Sequence, residues 1–83
     1  MTNIRHIDIA LLTAFDALYD ERSVTGAAKR LALTQPTVSG MLNRLRDLFG
    51  DPLFVRTRHG ILPTPRAEAL AEPVKALLAD AEA

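Results

Sequence analysis

Cysteine and tryptophan are absent from these 83 residues, aromatic side chains make up 5%, and the formal net charge is zero. Each gap excludes something. Without cysteine there is no disulfide framework. No apolar run approaches the roughly 20 residues that a bilayer-crossing helix needs. The N-terminus, MTNIRHIDIA, lacks the basic-then-apolar profile of a signal peptide, so a cytoplasmic chain is expected. The four glycines build no phosphate-cradling loop, and His6 and His59 stand far apart without acidic or cysteine companions at ligand spacing. Ser39 belongs to the first turn of a helix, and nothing accompanies it as a base. An enzyme, a bound metal and a cofactor are therefore all disfavoured.

What is present describes one small domain. With 48% hydrophobic residues and 24% charged, the chain holds a single core. That core buries roughly 60–65% of the surface an unfolded chain of this length exposes. Richness in alanine and leucine, with few aromatics, favours packed helices over a β-sandwich.

The zero charge is a sum of unlike parts. Residues 1–21 hold one base, Arg5, against Asp8, Asp16, Asp20 and Glu21, a net of −3. Residues 22–66 hold Arg22, Lys29, Arg30, Arg44, Arg46, Arg56, Arg58 and Arg66 against Asp47 and Asp51, a net of +6. Residues 67–83 return to −3 through Glu68, Glu72, Asp80 and Glu82 against Lys75. A basic middle of this density is the footprint of phosphate contacts.

Apolar periodicity divides the chain into helices. Leu11, Leu12, Phe15, Leu18 and Tyr19 share one face of a helix over about 9–20. Asp8 is placed to cap it, and Ile7 to pack on Leu12 as a hydrophobic staple. Thr25 is placed to cap a short second helix through Leu31 and Ala32, whose Ala27-Ala28 pair suits a close crossing. After a break at Leu33, Thr34 caps a third helix with Pro36 in its first turn. Val38, Met41, Leu42, Leu45, Leu48 and Phe49 line the buried face of that helix, and Gly50 ends it.

Two short helices joined by a tight break form a helix-turn-helix. The segment 53–63 follows, a short β-hairpin with Arg58 and His59 at its tip. A hairpin in that place is a wing, and its charged tip suits a phosphate or minor-groove contact. The last helix opens with Thr64 and Pro65. It carries Ala67, Leu70, Ala71, Val74, Leu77, Leu78 and Ala81 as a stripe, with a kink expected between Ala69 and Pro73. The stripe exceeds what a small three-helix core covers. Either a partner helix takes the excess, making the stripe a dimerisation seam, or the helix folds back on its own core. The expected architecture is thus mostly α: a winged helix-turn-helix, with a three-helix core, a hairpin wing and a long C-terminal linker helix. Residues 1–64 form the first unit and 65–83 the linker.

Removing the apolar stripe from the third helix leaves Gln35, Pro36, Thr37, Ser39, Gly40, Asn43, Arg46 and Asp47 facing outward. The Gln35 amide suits adenine in the major groove, its N–H donating to N7 and its oxygen accepting from the N6 amino group, and Pro36 and the Thr37 methyl suit a thymine methyl. Thr34 and Ser39 are short donors to phosphate, joined by the helix N-terminus. Asn43 reaches a base or a phosphate. Each has a duller alternative: Thr34 as a cap, Pro36 as a helix starter, Asn43 as surface. A helical protein-interaction module, with the last helix as its active surface, is the competing reading of the whole chain.

The run from Ser23 to Leu70 resembles the N-terminal DNA-binding domain of LysR-type transcriptional regulators. The resemblance rests on the Ala-Ala pair and Leu31, TQPTVS at 34–39, Leu45, the Leu-Phe-x-Arg of 53–56 and Thr64. It extends over essentially the whole chain and is nearest to a subgroup of nodulation regulators and activators of aromatic-compound degradation. The resemblance implies pairing through the linker helix, dimers and usually tetramers of the full-length protein, and binding to interrupted palindromes in double-stranded promoter DNA. It also implies a separate C-terminal domain that takes a small effector, which this chain lacks. Carried over by position, Gln35, Pro36 and Ser39 contact DNA, Arg56 is the wing arginine, and His59 stands where arginine is common at the wing tip. Four positions depart from the pattern. Gly40 replaces a polar residue, often arginine, that reaches DNA; Arg46 replaces glutamate; Pro63 and Ala67 replace leucine and glycine.

Overall fold

The structure, a computed structural model, describes residues 9–82. Asp8 and Ile7, the expected cap and staple, lie outside the described residues. Helices α1 (Ile9–Glu21), α2 (Val24–Leu31) and α3 (Gln35–Phe49) are followed by strands β1 (Phe54–Thr57) and β2 (Gly60–Pro63) and by α4 (Pro65–Glu82). The two strands pair antiparallel, with Thr57 opposite Gly60 and Phe54 opposite Pro63. This is the winged helix-turn-helix expected from the pattern.

Helix α1 runs through the centre. Leu11, Leu12, Ala14, Phe15, Ala17 and Leu18 are all buried, while its first turn and its Asp16-Asp20-Glu21 edge reach solvent. Ala27 and Ala28 are buried where α2 packs on α1 and α3, and their lack of bulk permits that approach. From α3 come Val38, Leu42 and Leu45; from the wing, Leu53, Phe54 and Ile61. Phe54 meets Phe15 with ring centroids 5.6 Å apart and planes tilted by 50°, an arrangement worth about 1 kcal/mol beyond area burial.

Local chemistry sets the element ends. The cap of α2 is Ser23, whose hydroxyl accepts the Gly26 N–H at 3.0 Å, and not Thr25. Ser23 lies one residue before the first helical position, whereas Thr25 is already in the first turn. The break between α2 and α3 is a left-handed Ala32, after which the Leu33 N–H reaches back to the Ala28 carbonyl at 2.9 Å. This six-to-one bond is the Schellman closure of a helix. Thr34 caps α3 by accepting the Thr37 N–H, and left-handed Gly50 ends it. Helix α4 continues through Pro73 as one helix. The helix is uninterrupted where the kink is expected.

The wing is tied down at both ends. At its root, one carboxylate oxygen of Asp51 accepts the Leu53 N–H and the Thr64 hydroxyl, each at 2.8 Å. Thr64 in turn accepts the Ala67 N–H and so caps α4. At its far side, the Ile61 N–H donates to the carbonyl of Arg22 at 3.0 Å. Arg22 is left-handed, with φ 56°, which turns that carbonyl out of α1 toward the wing. Gly60 passes against the same carbonyl at φ 144°, a conformation open to glycine, and a Cβ there would run into the oxygen. Gly60→Ala should therefore destabilise the chain by roughly 2 kcal/mol. Chemical denaturation of the purified variant, with an unchanged m-value, checks it.

Candidate nucleic-acid interface

The N-terminal half of α3 and the wing face each other across a cleft of about 270 Å³. Gln35 and Ser39 line one wall, Arg56, Thr57 and Arg58 another, and Ser23, Val24 and Thr25 at the start of α2 close the end. Strand alternation explains why Arg56 is there. It falls on the same face of the hairpin as Phe54 and Ile61, which point at the helices, so its stem is directed inward while its head stays exposed. The two-residue tip is Arg58-His59. Thr57 braces it, its hydroxyl donating to the Gly60 carbonyl at 3.2 Å and accepting the His59 N–H at 3.3 Å.

Of the residues picked out from sequence, Gln35, Ser39, Arg56 and Arg58 meet in this cleft. Thr34, Pro36, Thr37, Asn43 and His59 are exposed but do not line it. Thr34 and Thr37 bond to each other, hydroxyl to hydroxyl, at 2.9 Å. Asn43 accepts from Arg46 at 3.3 Å. Arg46 itself corrects the helical-wheel reading. It is half-buried, and its guanidinium donates to the carbonyls of Pro52 and Phe54 instead of facing outward. Thr25 was missed as a lining residue, because it was assigned as the cap that Ser23 provides. The signal was there in Ser23, a cap-competent residue two positions earlier.

The linker stripe divides. Ala67, Ala71 and Val74 are buried within the chain's own fold. Leu70 and Leu78 are half-buried, Ala81 is exposed, and Leu77 is 54% exposed. With Ile9, Leu12, Phe49, Leu70, Pro73 and Val74, Leu77 lines an apolar groove of about 340 Å³ open to solvent. Ile9, Leu12, Phe49 and Pro73 were not in the linker stripe, since they come from other elements or from the position where a kink was expected.

Charge is sorted in space as well as along the chain. Asp16 and Asp20 of α1 hold Lys75 of α4 at 2.5 and 2.9 Å and Arg30 of α2 at 3.3 and 3.1 Å. Lys75 and then Arg30 hold the Asp20 carboxyl below its ordinary range. The hydrogen bond that Lys75 donates to Asp16 is the main cause that raises the Lys75 pKa, and the bond that Arg30 donates to Asp20 raises that of Arg30. Arg22 donates to the Tyr19 carbonyl at 2.7 Å and lies over the Tyr19 ring. Among the described residues, Arg22, Lys29, Arg44, Arg56, Arg58 and Arg66 are exposed and without an ion pair.

A helix-turn-helix with a basic, inward-directed wing defines the class of winged DNA-binding domains. Over residues 9–68 the chain matches the family of bacterial regulatory helix-turn-helix proteins of the LysR type, and it belongs to that family. It is 53% identical over 76 residues to the HTH-type transcriptional regulator LinR of Sphingobium indicum, covering 92% of this chain and 25% of LinR. It is 51% identical over 71 residues to nodulation protein D 1 of Rhizobium meliloti, covering 86% of this chain and 23% of that protein. The chain thus spans about a quarter of the length of these relatives. Among solved structures, the DNA-binding domain of CbnR in complex with DNA superposes with a TM-score of 0.85 at 28% identity, over 92% of this chain and 87% of that one. No helix among the described residues is long and apolar enough to cross a membrane.

The Asp51 carboxyl is held below its ordinary value of 3.8, first by the Leu53 N–H and then by the Thr64 hydroxyl. A lowered folded pKa adds stability above the unfolded value, and that stability is lost as pH falls through the folded one. Asp51→Asn should therefore flatten the loss of stability below about pH 4. Thermal unfolding of both proteins from pH 6 to pH 2 measures it.

Proposed function

We propose that this chain binds double-stranded DNA sequence-specifically, with α3 in the major groove and the wing on the backbone or the adjacent minor groove. The observation that supports this most directly is the shared cleft: a base-reading amide, Gln35, and two unpaired arginines, Arg56 and Arg58, line one concave surface. Gln35 pairs with adenine, Ser39 and the start of α3 contact phosphate, and Thr34, Pro36, Thr37, Asn43 and His59 border the contact. The chain works in the cytoplasm and carries no catalytic activity. Two copies pair through the exposed part of the linker stripe, Leu70, Leu77, Leu78 and Ala81, together with the apolar groove beside it, and so read an interrupted palindrome. In the longer protein, a C-terminal domain takes a small effector and carries assembly on to tetramers.

Duplexes selected by this chain from a random pool should bind with log K falling linearly against log salt, at about −0.9 per phosphate neutralised. A salt-independent interaction would refute the proposal. Gln35→Ala should cost about 1–3 kcal/mol on the selected duplex and relax preference at one base pair. An equal loss on scrambled DNA would show that Gln35 does not read sequence.

The apolar groove also suits a helical interaction module, and a mobility shift with selected DNA separates the two readings. Leu77→Asp should move the chain from dimer to monomer in sedimentation at tens of micromolar, because a charge would enter an apolar contact.

A further inference from the structure

Resting on the DNA-binding reading, we infer that Arg46 is a positioning residue for the wing, and that its guanidinium fixes how the arginines of the hairpin stand relative to Gln35. The geometry is specific. Nε donates to the Pro52 carbonyl at 2.8 Å, Nη2 to the Phe54 carbonyl at 3.1 Å and Nη1 to Asn43 Oδ1 at 3.3 Å. Three of the five N–H groups of one side chain thus join α3, the connecting loop and the first residue of β1. The backbone of the same residue closes the helix, its carbonyl accepting from Gly50 and from Asp51.

The strand register explains why this contact governs the wing. The Ile61 N–H leaves the ladder for Arg22, so the Arg56–Ile61 pair exchanges no hydrogen bonds across the strands. In an antiparallel pair such positions alternate, so Phe54–Pro63 is of the same kind. A proline therefore costs nothing opposite Phe54, and the Phe54 carbonyl points out of the hairpin. Each strand thus turns one outward backbone group to the helical body. That of β2 is held by the α1–α2 corner, and that of β1 by Arg46. Without Arg46, the wing keeps its hinge at Arg22 and its root at Asp51 but loses its polar tie to the helix that carries Gln35.

The test uses the 83-residue chain and a duplex that the wild-type chain recovers from a random pool. Arg46→Met keeps the apolar stem and removes every donor. Its log K against log salt should fall less steeply than wild type by about 1 to 2 units, the share of one or two wing phosphates. Base-edge protection at the Gln35 contact should persist while hydroxyl-radical protection under the wing is lost. In an Arg56→Ala/Arg58→Ala background, Arg46→Met should change the slope no further, because the groups it positions are gone. An unchanged slope and footprint, or a loss that adds in full to that of the double variant, overturns the assignment. A purely structural role would lower the melting temperature and leave the salt slope alone. Should Arg46→Met fail to fold, Arg46→Lys is read in the same way, since an ammonium lacks the planar fork that spans two carbonyls. Wild-type binding with an unaltered variant slope sinks this inference alone; no binding by wild type sinks the DNA-binding reading as well.

Discussion

One hydrogen bond, from the Ile61 amide to the Arg22 carbonyl, fixes the β2 edge of the hairpin against the helices. A two-stranded hairpin is marginal by itself in water, so the wing has a defined place only because the helices hold it. Arg22 adopts a left-handed backbone to present that carbonyl, and Gly60 gives up a side chain to approach it. Leu53 and Phe54 then anchor the start of the other strand in the core, Phe54 against Phe15. The concave surface between α3 and the wing follows from these fixings. Its walls belong to separate elements that meet through the backbone of residue 22, the Arg46 guanidinium and the core.

Electrostatics is arranged around the same core. The acidic edge of α1 does not oppose the basic middle of the sequence at large. It engages Arg30 and Lys75, and in doing so fastens α2 and α4 to the central helix. Pairs this exposed contribute little stability one by one, about 0.2–1 kcal/mol each. Their larger effect is on distribution: anionic groups are occupied on one side while Arg56 and Arg58 stay uncompensated on another. A neutral chain can therefore present a cationic surface, and its attraction for DNA away from a specific site is weaker than that of a uniformly basic domain.

Legibility in the sequence followed the range of the interaction. Thr34, Gly50 and the period of α3 were readable because caps and helical faces depend on residues within a turn or two. The wing was readable from its turn and its alternation; Gln35, Ser39 and Arg58, picked out by their chemistry, and Arg56, picked out by the family resemblance, line one cleft. Choosing Thr25 over Ser23 as the α2 cap failed because both are competent at nearly the same place. Arg46 was misplaced for another reason. A helical wheel assigns a direction, but it says nothing of a loop that returns to set two carbonyls beside the helix. The α4 stripe shows the same limit. Periodicity identified residues on one face, and only the packing of α1 against α4 decided that Ala67, Ala71 and Val74 are core while Leu77 is surface.

Gly40 sits on the exposed side of α3, and a Cβ there would meet nothing within 4 Å. A glycine inside a helix costs about 1 kcal/mol relative to alanine. Any longer side chain at this position would gain helix stability and, at the same time, extend into the space in front of the reading surface. Altered recognition is ordinarily bought with lost stability. Here the two changes run in the same direction, so new binding preferences are open to this fold at a position where mutation strengthens it.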